Sequence, residues 1–373
     1  MESIEQMIKR LCPKGMEYVK LGEVCEIRRG IRVVKKQLGE EDGYPVFQNS
    51  LTSLGMYQSS NRKAGTTFII CAGAAGEIGY CNSEFWAADD CSTVESDVLI
   101  DRFIYFYLMT QQYKLKSQVR KASVPRLSRE AIENLIIPLP PLEIQSRIVE
   151  VLDKMTTLTA ELEAELEAEL EARKQQYEYY RNKLLSFSEI GGGIRFVKLG
   201  DVCELERGKV FSKKYIEEHP GQYPVFSSQT ANNGELGKID TFNYNGEFLT
   251  WTTDGAYAGT IFYREGKFSI TNVCGLIKNN DTMFNIKFLF HWLRLVAKNY
   301  VYSGMGNPKL MSNQTAEILI PVLTMQEQQR IVSILDRFEA LTTDLQSGLP
   351  AEIEARRQQY EYYRNKLLTF DAV

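Results

Sequence analysis

The sequence predicts an α+β protein: two similar mixed α/β domains separated by two long helices that pack as an antiparallel coiled coil, with pseudo-two-fold symmetry. Three observations carry this. The chain repeats itself once, two apolar stripes run at helical spacing for tens of residues, and the composition, 44% hydrophobic and 25% charged over 373 residues, is ordinary globular with room for about two or three cores.

The repeat is strongest at its ends. VKLGEVCEIRRG, from Val19 to Gly30, returns as VKLGDVCELERG from Val197 to Gly208, and YPVF at Tyr44 returns at Tyr223. EARKQQYEYYRNKLLSF from Glu171 recurs as EARRQQYEYYRNKLLTF from Glu354, with 15 of 17 positions identical. Two copies are too few and too long for a solenoid. The chain divides into a first α/β domain with a short N-terminal helix (1–140), a helical spacer (141–190), a second α/β domain (191–322) and a second helical spacer (323–373).

In the domains, YPVF, TTFIIC from Thr66 and EFLTWT from Glu247 read as strands, and FIYFYLMTQQYKLKSQ and IKFLFHWLRLVAKNY as one helix each. Pro138, Pro140 and Pro141 end the first domain. Beyond them Ile144, Ile148, Leu152, Met155, Leu162, Leu166 and Leu170 line one face of a helix of about 45 residues, ~65 Å long. A matching stripe runs through Ile331, Leu335, Phe338, Leu345, Leu349, Ile353, Tyr360, Tyr363 and Leu367. Gly348 and Pro350 predict a kink there, or a restart with Pro350 in the first turn.

Seven scattered Cys residues without a C-x-x-C pair indicate reduced thiols and a cytoplasmic protein, with no metal site. No apolar run approaches the ~20 residues that span a bilayer. Two His residues leave little for His-based catalysis. A Walker A loop is missing, since GTIFYREGK from Gly259 has the wrong spacing. Asp254, Glu265 and Lys267 imitate a nuclease triad, but EGK reads as a hairpin turn.

The net charge of -4 conceals a division: the helices are acidic, the domains slightly basic. Base concentrates after the repeated strand, as Arg28, Arg29, Arg32, Lys35 and Lys36 in the first copy and Arg207, Lys209, Lys213 and Lys214 in the second. One such cluster taken alone reads better as a solvated loop; its recurrence in both halves tips the balance modestly toward phosphate and guanine contact. Gln48 and Asn49, and in the second copy Ser228 and Gln229, follow the YPVF strands as adenine-reading or turn-forming residues. Lys121, Ser123 and Arg126 in KASVPRL, and Ser303, Asn307 and Lys309 in SGMGNPKL, occupy corresponding loops as candidate phosphate contacts.

LCPKGMEYVKLGEVCEI, the junction IPLPPLEIQSRIVEVLD with its echo IPVLTMQEQQRIVSILD, and the period TAEL-EAEL-EAEL from Thr159 resemble the specificity subunit of type I restriction-modification systems. The resemblance covers nearly the whole chain. It implies two target-recognition domains, each reading one half of a bipartite double-stranded DNA target, and no catalysis by this chain. S-adenosylmethionine, ATP and Mg would belong to partners: two modification subunits that methylate adenine, and ATP-dependent restriction subunits. Each tetrapeptide adds ~6 Å of helix against ~3.4 Å per base pair, so repeat number would set the spacer. Tyr177, Tyr180, Arg181, Tyr360, Tyr363 and Arg364 in QQYEYYRNKLL would dock the modification subunits from exposed tyrosines, or seal the helix pair. The rival readings are a coiled-coil scaffold that binds other proteins and a stand-alone nuclease or methyltransferase.

Overall fold

The computed structural model describes residues 2–187, 193–302, 306–343 and 348–370. The chain forms two compact units, residues 1–165 with 353–373, and residues 166–352.

In the first unit, α1 (Ile4–Leu11) starts with a capping box between Ser3 and Gln6. Strand β1 (Tyr18–Lys20) passes through the single turn α2 (Leu21–Val24) into β2 (Glu26–Arg29), followed by β3 (Tyr44–Phe47), β4 (Met56–Tyr57), β5 (Thr66–Ile70), β6 (Ile78–Cys81), β7 (Trp86–Ala87) and β8 (Cys91–Glu95). Strands β2-β8-β5-β6 make an antiparallel sheet, and β4-β3-β7 a smaller one in which β3 and β7 run parallel. Helix α3 (Asp101–Ser117) buries Phe103, Ile104, Phe106, Tyr107 and Leu108 in the core. The short α4 (Arg129–Glu133) and β9 (Ile136–Pro138) return the chain to β1, which pairs with β9.

The long helix α5 (Leu142–Leu184) has 43 residues. Its opening segment belongs to the first unit, where it runs antiparallel to residues 353–368 of the closing helix (Leu349–Leu368). Thr156 Oγ1 lies 2.8 Å from Tyr360 Oη, and farther along Arg357 Nε donates to Glu163 at 3.2 Å.

The second unit repeats this order: β10 (Phe196–Lys198), α6 (Leu199–Val202), β11 (Cys203–Arg207), α7 (Lys213–Glu218), β12 (Pro220–Phe226), β13 (Glu235–Ile239), β14 (Tyr244–Thr252), β15 (Ile261–Ile270), β16 (Cys274–Asn279), α8 (Ile286–Val296), α9 (Ser312–Ala316) and β17 (Leu319–Pro321). Its main sheet has six strands, β11-β16-β14-β15-β12-β13, because the ten-residue β15 serves as β6 and β7 do separately in the first unit. This corrects the hairpin reading of EGK: Glu265–Lys267 lies inside β15, and Gly266 (φ 86°) faces Gly246 (φ 138°) across the ladder. Both glycines take a positive φ inside a continuous ladder, a backbone that other residues rarely adopt. Helix α10 (Met325–Thr343) packs on the later part of α5, where Phe338 stacks on Tyr180 at 5.5 Å. The helix restarts at Leu349 with Pro350 in its first turn, as expected; Leu345 lies outside the described residues.

Each domain is tied to its helix in the same way. In the first unit Arg102 of α3 binds Asp153 at 2.7 Å with its guanidinium 4.4 Å from the Tyr80 ring; in the second, Lys287 of α8 binds Asp336 at 2.9 Å and lies 5.5 Å from the Tyr263 ring.

Candidate nucleic-acid interface

β2 alternates its side chains between two faces. Arg28 points to the face of Glu26 and Glu95, pairing with them at 2.6 and 3.5 Å. Arg29 points to the other face and lines a cleft of about 310 Å³ together with Arg126, Arg129, Asp89 and Asp90. Its Nε donates to the Asp89 carbonyl at 2.8 Å. Two sequence-predicted arginines, 29 and 126, therefore share one cleft and Arg28 does not.

Arg29 ends β2, and Gly30 follows it. A Cβ on Gly30 would sit 2.1 Å from the Ala88 carbonyl oxygen, and one on Gly208 would sit 2.2 Å from that of Ile270. The Arg-Gly step repeated in both halves is a close backbone approach that only glycine permits. Arg207 then repeats the Arg29 contact: its Nε donates to the Asn272 carbonyl at 3.1 Å and its Nη2 to Thr253 Oγ1 at 3.2 Å.

The loop after each domain helix is fastened to the same edge. In the first domain Arg126 bridges to Ala72 and Arg120, and in the second Lys309 bridges to Asp254 and Tyr302. Leu127 N–H meets the Cys71 carbonyl at 2.8 Å, and Leu310 N–H meets that of Thr253 at 2.9 Å. Lys309 reaches Asp254 at 4.0 Å. The segment after YPVF joins this edge too: Gln48 Nε2 donates to Asp89 Oδ1 at 3.3 Å, and the Asn49 carbonyl accepts from Ala74 N–H. In the second domain Ser227 Oγ accepts from Thr271 Oγ1 at 3.0 Å, Ser228 is half-buried beside it, and the Gln229 carboxamide donates to the Glu235 carbonyl.

The other predicted residues stand farther out. Arg32, Lys121, Ser123, Lys209 and Asn307 are exposed on turns and loops. Lys35 and Lys36 lie on a short 3-10 turn, and Lys213 and Lys214 on α7, at the matching place of the other copy. Ser303 lies outside the described residues. Sequence reasoning missed Arg129, which lines the cleft from the first residue of α4; a basic residue two past the Pro-Arg-Leu ending was the available signal.

The nuclease constellation does not assemble. Asp254 follows the end of β14, whereas Glu265 pairs with Glu247 near its start, seven residues away or roughly 23 Å along a strand. At the junction of α8 and α10, Asp336, Glu339 and His291 bring ligand-type atoms together, and Lys287 and Arg294 bind the two carboxylates at 2.9 and 2.8 Å. Burial pushes the Asp336 carboxyl up, but hydrogen bonds from His291 and Lys287 outweigh it and hold the group below its ordinary value.

On the helix pairs the tyrosines divide. Tyr177 is 9% exposed, so of its two readings the structure favours sealing over docking: the stripe turns it into the core of the second unit. Tyr360 is half-buried and bonded to Thr156. Tyr180, with Leu184, Phe187, Ile334 and Phe338, lines a groove of about 530 Å³ in the second unit. Tyr363, with Leu367, Phe370, Val151 and Met155, lines the equivalent groove in the first, where α1 adds Ile4 and Ile8. Arg181 and Arg364 lie 5.7 and 5.8 Å from the Tyr177 and Tyr360 rings. The most exposed members are Tyr179 and Tyr362, at 59% and 61%, which sequence reasoning passed over.

The family model of the type I restriction modification DNA specificity domain matches residues 13–172 and again residues 192–355. The chain belongs to this specificity family. A protein assigned as a type I specificity subunit in Mycoplasma pneumoniae is 38% identical over 253 residues, covering 66% of this chain and 91% of the relative. One assigned likewise in Haemophilus influenzae is 33% identical over 313 residues, covering 79% and 78%. Among solved structures, one reported for assembly and conformational transition of the type I restriction-modification system has TM-score 0.65 at 17% identity, covering 96% of this chain and 99% of its own. The S subunit from M. genitalium has TM-score 0.54 at 17% identity, covering 95% and 96%. These two share the fold of the specificity family: a mixed domain twice over with helical segments. Among the described residues no helix is long and apolar enough to cross a membrane.

Proposed function

We propose that this chain is the DNA-reading subunit of a type I restriction-modification complex, each domain recognising one half of a bipartite target. The observation that carries this is the twofold occurrence of one edge: an arginine at the end of a repeated strand, held by a backbone carbonyl (Arg29, Arg207), beside a loop ending in a basic residue (Arg126, Lys309). Such an edge supplies basic side chains that position a domain on phosphates. The long helices set the spacer, and their tyrosine-lined grooves dock two modification subunits. The chain itself is not catalytic. S-adenosylmethionine, ATP and Mg act in the modification and restriction subunits, and the complex works in the cytoplasm on adenine.

The test is adenine-methylation mapping of genomic DNA from cells expressing the chain with and without its cognate modification subunit. One bipartite motif present only with both is the expected result. A stable complex that yields no motif and no salt-dependent DNA affinity would favour the scaffold reading instead.

A further inference from the structure

We propose that Asn232 and Asn233 read bases for the second domain, offering their carboxamides to adenine in its half-site; the inference rests on the DNA-reading function above. Among the described residues these are the only non-glycine positions with positive φ, 50° and 52°, and Gly234 continues the run at 80°. Successive left-handed residues are unfavourable for L-amino acids, with Asn among the more tolerant. Here the surroundings enforce them. Ser227 N–H donates to the Gly234 carbonyl at 2.9 Å, and the Gln229 carboxamide closes the loop on Glu235.

Arg264 is the unusual support. It is 3% exposed, its guanidinium lies 3.6 Å from the Phe226 ring centroid and 4.4 Å from that of Phe262, and Nη2 donates to the Asn233 carbonyl at 2.8 Å. Nε donates to Thr250 Oγ1 at 3.2 Å, and among the described residues Arg264 makes no ion pair. A cation buried without a carboxylate costs stability, so the fold keeps an expensive device to hold one loop. That device holds the backbone only. Asn232 and Asn233 are both exposed, and among the described residues neither carboxamide has a hydrogen-bond partner. A fixed backbone presenting free carboxamides is preorganised for the N6 and N7 edge of adenine.

The first domain supports the assignment by contrast. Its matching connection, residues 48–55 between β3 and β4, is closed by Ser53, whose Oγ donates to the Gly55 carbonyl at 2.9 Å and accepts from Val46 N–H at 3.3 Å. Ser53 and Leu54 stand where the second domain has Asn232 and Asn233. Loops of equal length joining equivalent strands thus carry different chemistry, as two domains reading different half-sites require.

The test keeps the backbone and removes the carboxamides. The double variant Asn232→Gly, Asn233→Gly, in complex with the cognate modification subunit, is assayed by methylation of a library with both half-sites randomised. Discrimination at one or two positions of the second half-site is expected to fall by about tenfold or more, the scale of a single bidentate side chain–base contact. The first half-site and the melting temperature should stay as they were. Asn233→Asp, which tolerates the same backbone but lacks the N–H donor, is expected to weaken the choice of adenine. Full retention of second half-site discrimination by the double variant overturns the assignment. Absence of any bipartite motif with the unaltered chain overturns the underlying function, and the assignment with it.

Discussion

Gln145 and Gln328 occupy the same wholly buried place in the two units. Each accepts the backbone N–H just before the domain helix, from Ile100 at 2.8 Å and from Asn285 at 2.8 Å. Each also donates to two carbonyls, those of Val98 and Pro140 for Gln145 and of Met283 and Leu323 for Gln328. The echoed junction motif is therefore a clamp between domain and helix. Replacing Gln145 with Leu removes its bonds to three backbone groups, of which the wholly buried one, to the Pro140 carbonyl, costs ~1–3 kcal/mol when left unpaired. A loss of about 2 kcal/mol is expected in denaturant unfolding, and a variant of unchanged stability would deny the clamp its role.

Gly30→Ala and Gly208→Ala should each destabilise their own domain strongly, by about 3 kcal/mol or more, because the added carbon meets a backbone carbonyl that no rotamer can move. Thermal unfolding is the check, and a shift of under a degree would contradict the close approach.

Arg28 and Arg29 are adjacent but should behave differently. Arg28 is paired with Glu26 and Glu95, away from the cleft, so Arg28→Ala should leave DNA affinity within about twofold. Arg29→Ala with Arg126→Ala should weaken binding and lower the slope of affinity against salt by about one per lost phosphate contact. Anisotropy titrations of the complex at several salt concentrations separate the two.

Asp101 opens α3 with one carboxylate oxygen buried and, among the described residues, without a hydrogen-bond partner; burial raises its pKa to about 6, with Glu95 adding to the rise. The folded chain then binds this proton more tightly than the unfolded chain. The resulting stability is present below the ordinary carboxyl value near pH 4 and is lost as pH rises through about 6. Asp101→Asn should raise the melting temperature at pH 7.5 and have much less effect at pH 4. Ile286 at the matching position of the second unit shows that an uncharged side chain fits there. Equal effects at both pH values would contradict the shift.

Inserting one Glu-Ala-Glu-Leu repeat into α5, with a matching four-residue insertion in the closing helix to keep the pair in register, should lengthen the unread spacer by about two base pairs, since ~6 Å of added helix meets ~3.4 Å per base pair. Methylation mapping reads this directly, and an unchanged spacer would separate helix length from target geometry.

The sequence by itself determined the parts set by local periodicity. The repeat announced two like domains, the 3.6-residue stripe announced α5 and its partners, and Gly348 with Pro350 announced an interruption, a kink or a restart, which the structure shows as a helix starting at Leu349. The basic loops around Arg126 and Lys309 were also legible, because their residues are contiguous and recur. Tertiary structure decided what depends on distant pairing. Whether Arg28 or Arg29 meets the cleft is a matter of strand phase against β8, and whether Glu265–Lys267 turns or continues depends on β14 opposite it. Tyr177 is buried and Tyr179 exposed because a helix of 3.6 residues per turn shows its partner only one face, and that face is chosen by Phe338 and its neighbours. The left-handed run at Asn232 and Asn233 had no local sign beyond an Asn-Asn-Gly string; it exists because Arg264, 31 residues after Asn233, holds the Asn233 carbonyl from inside the core.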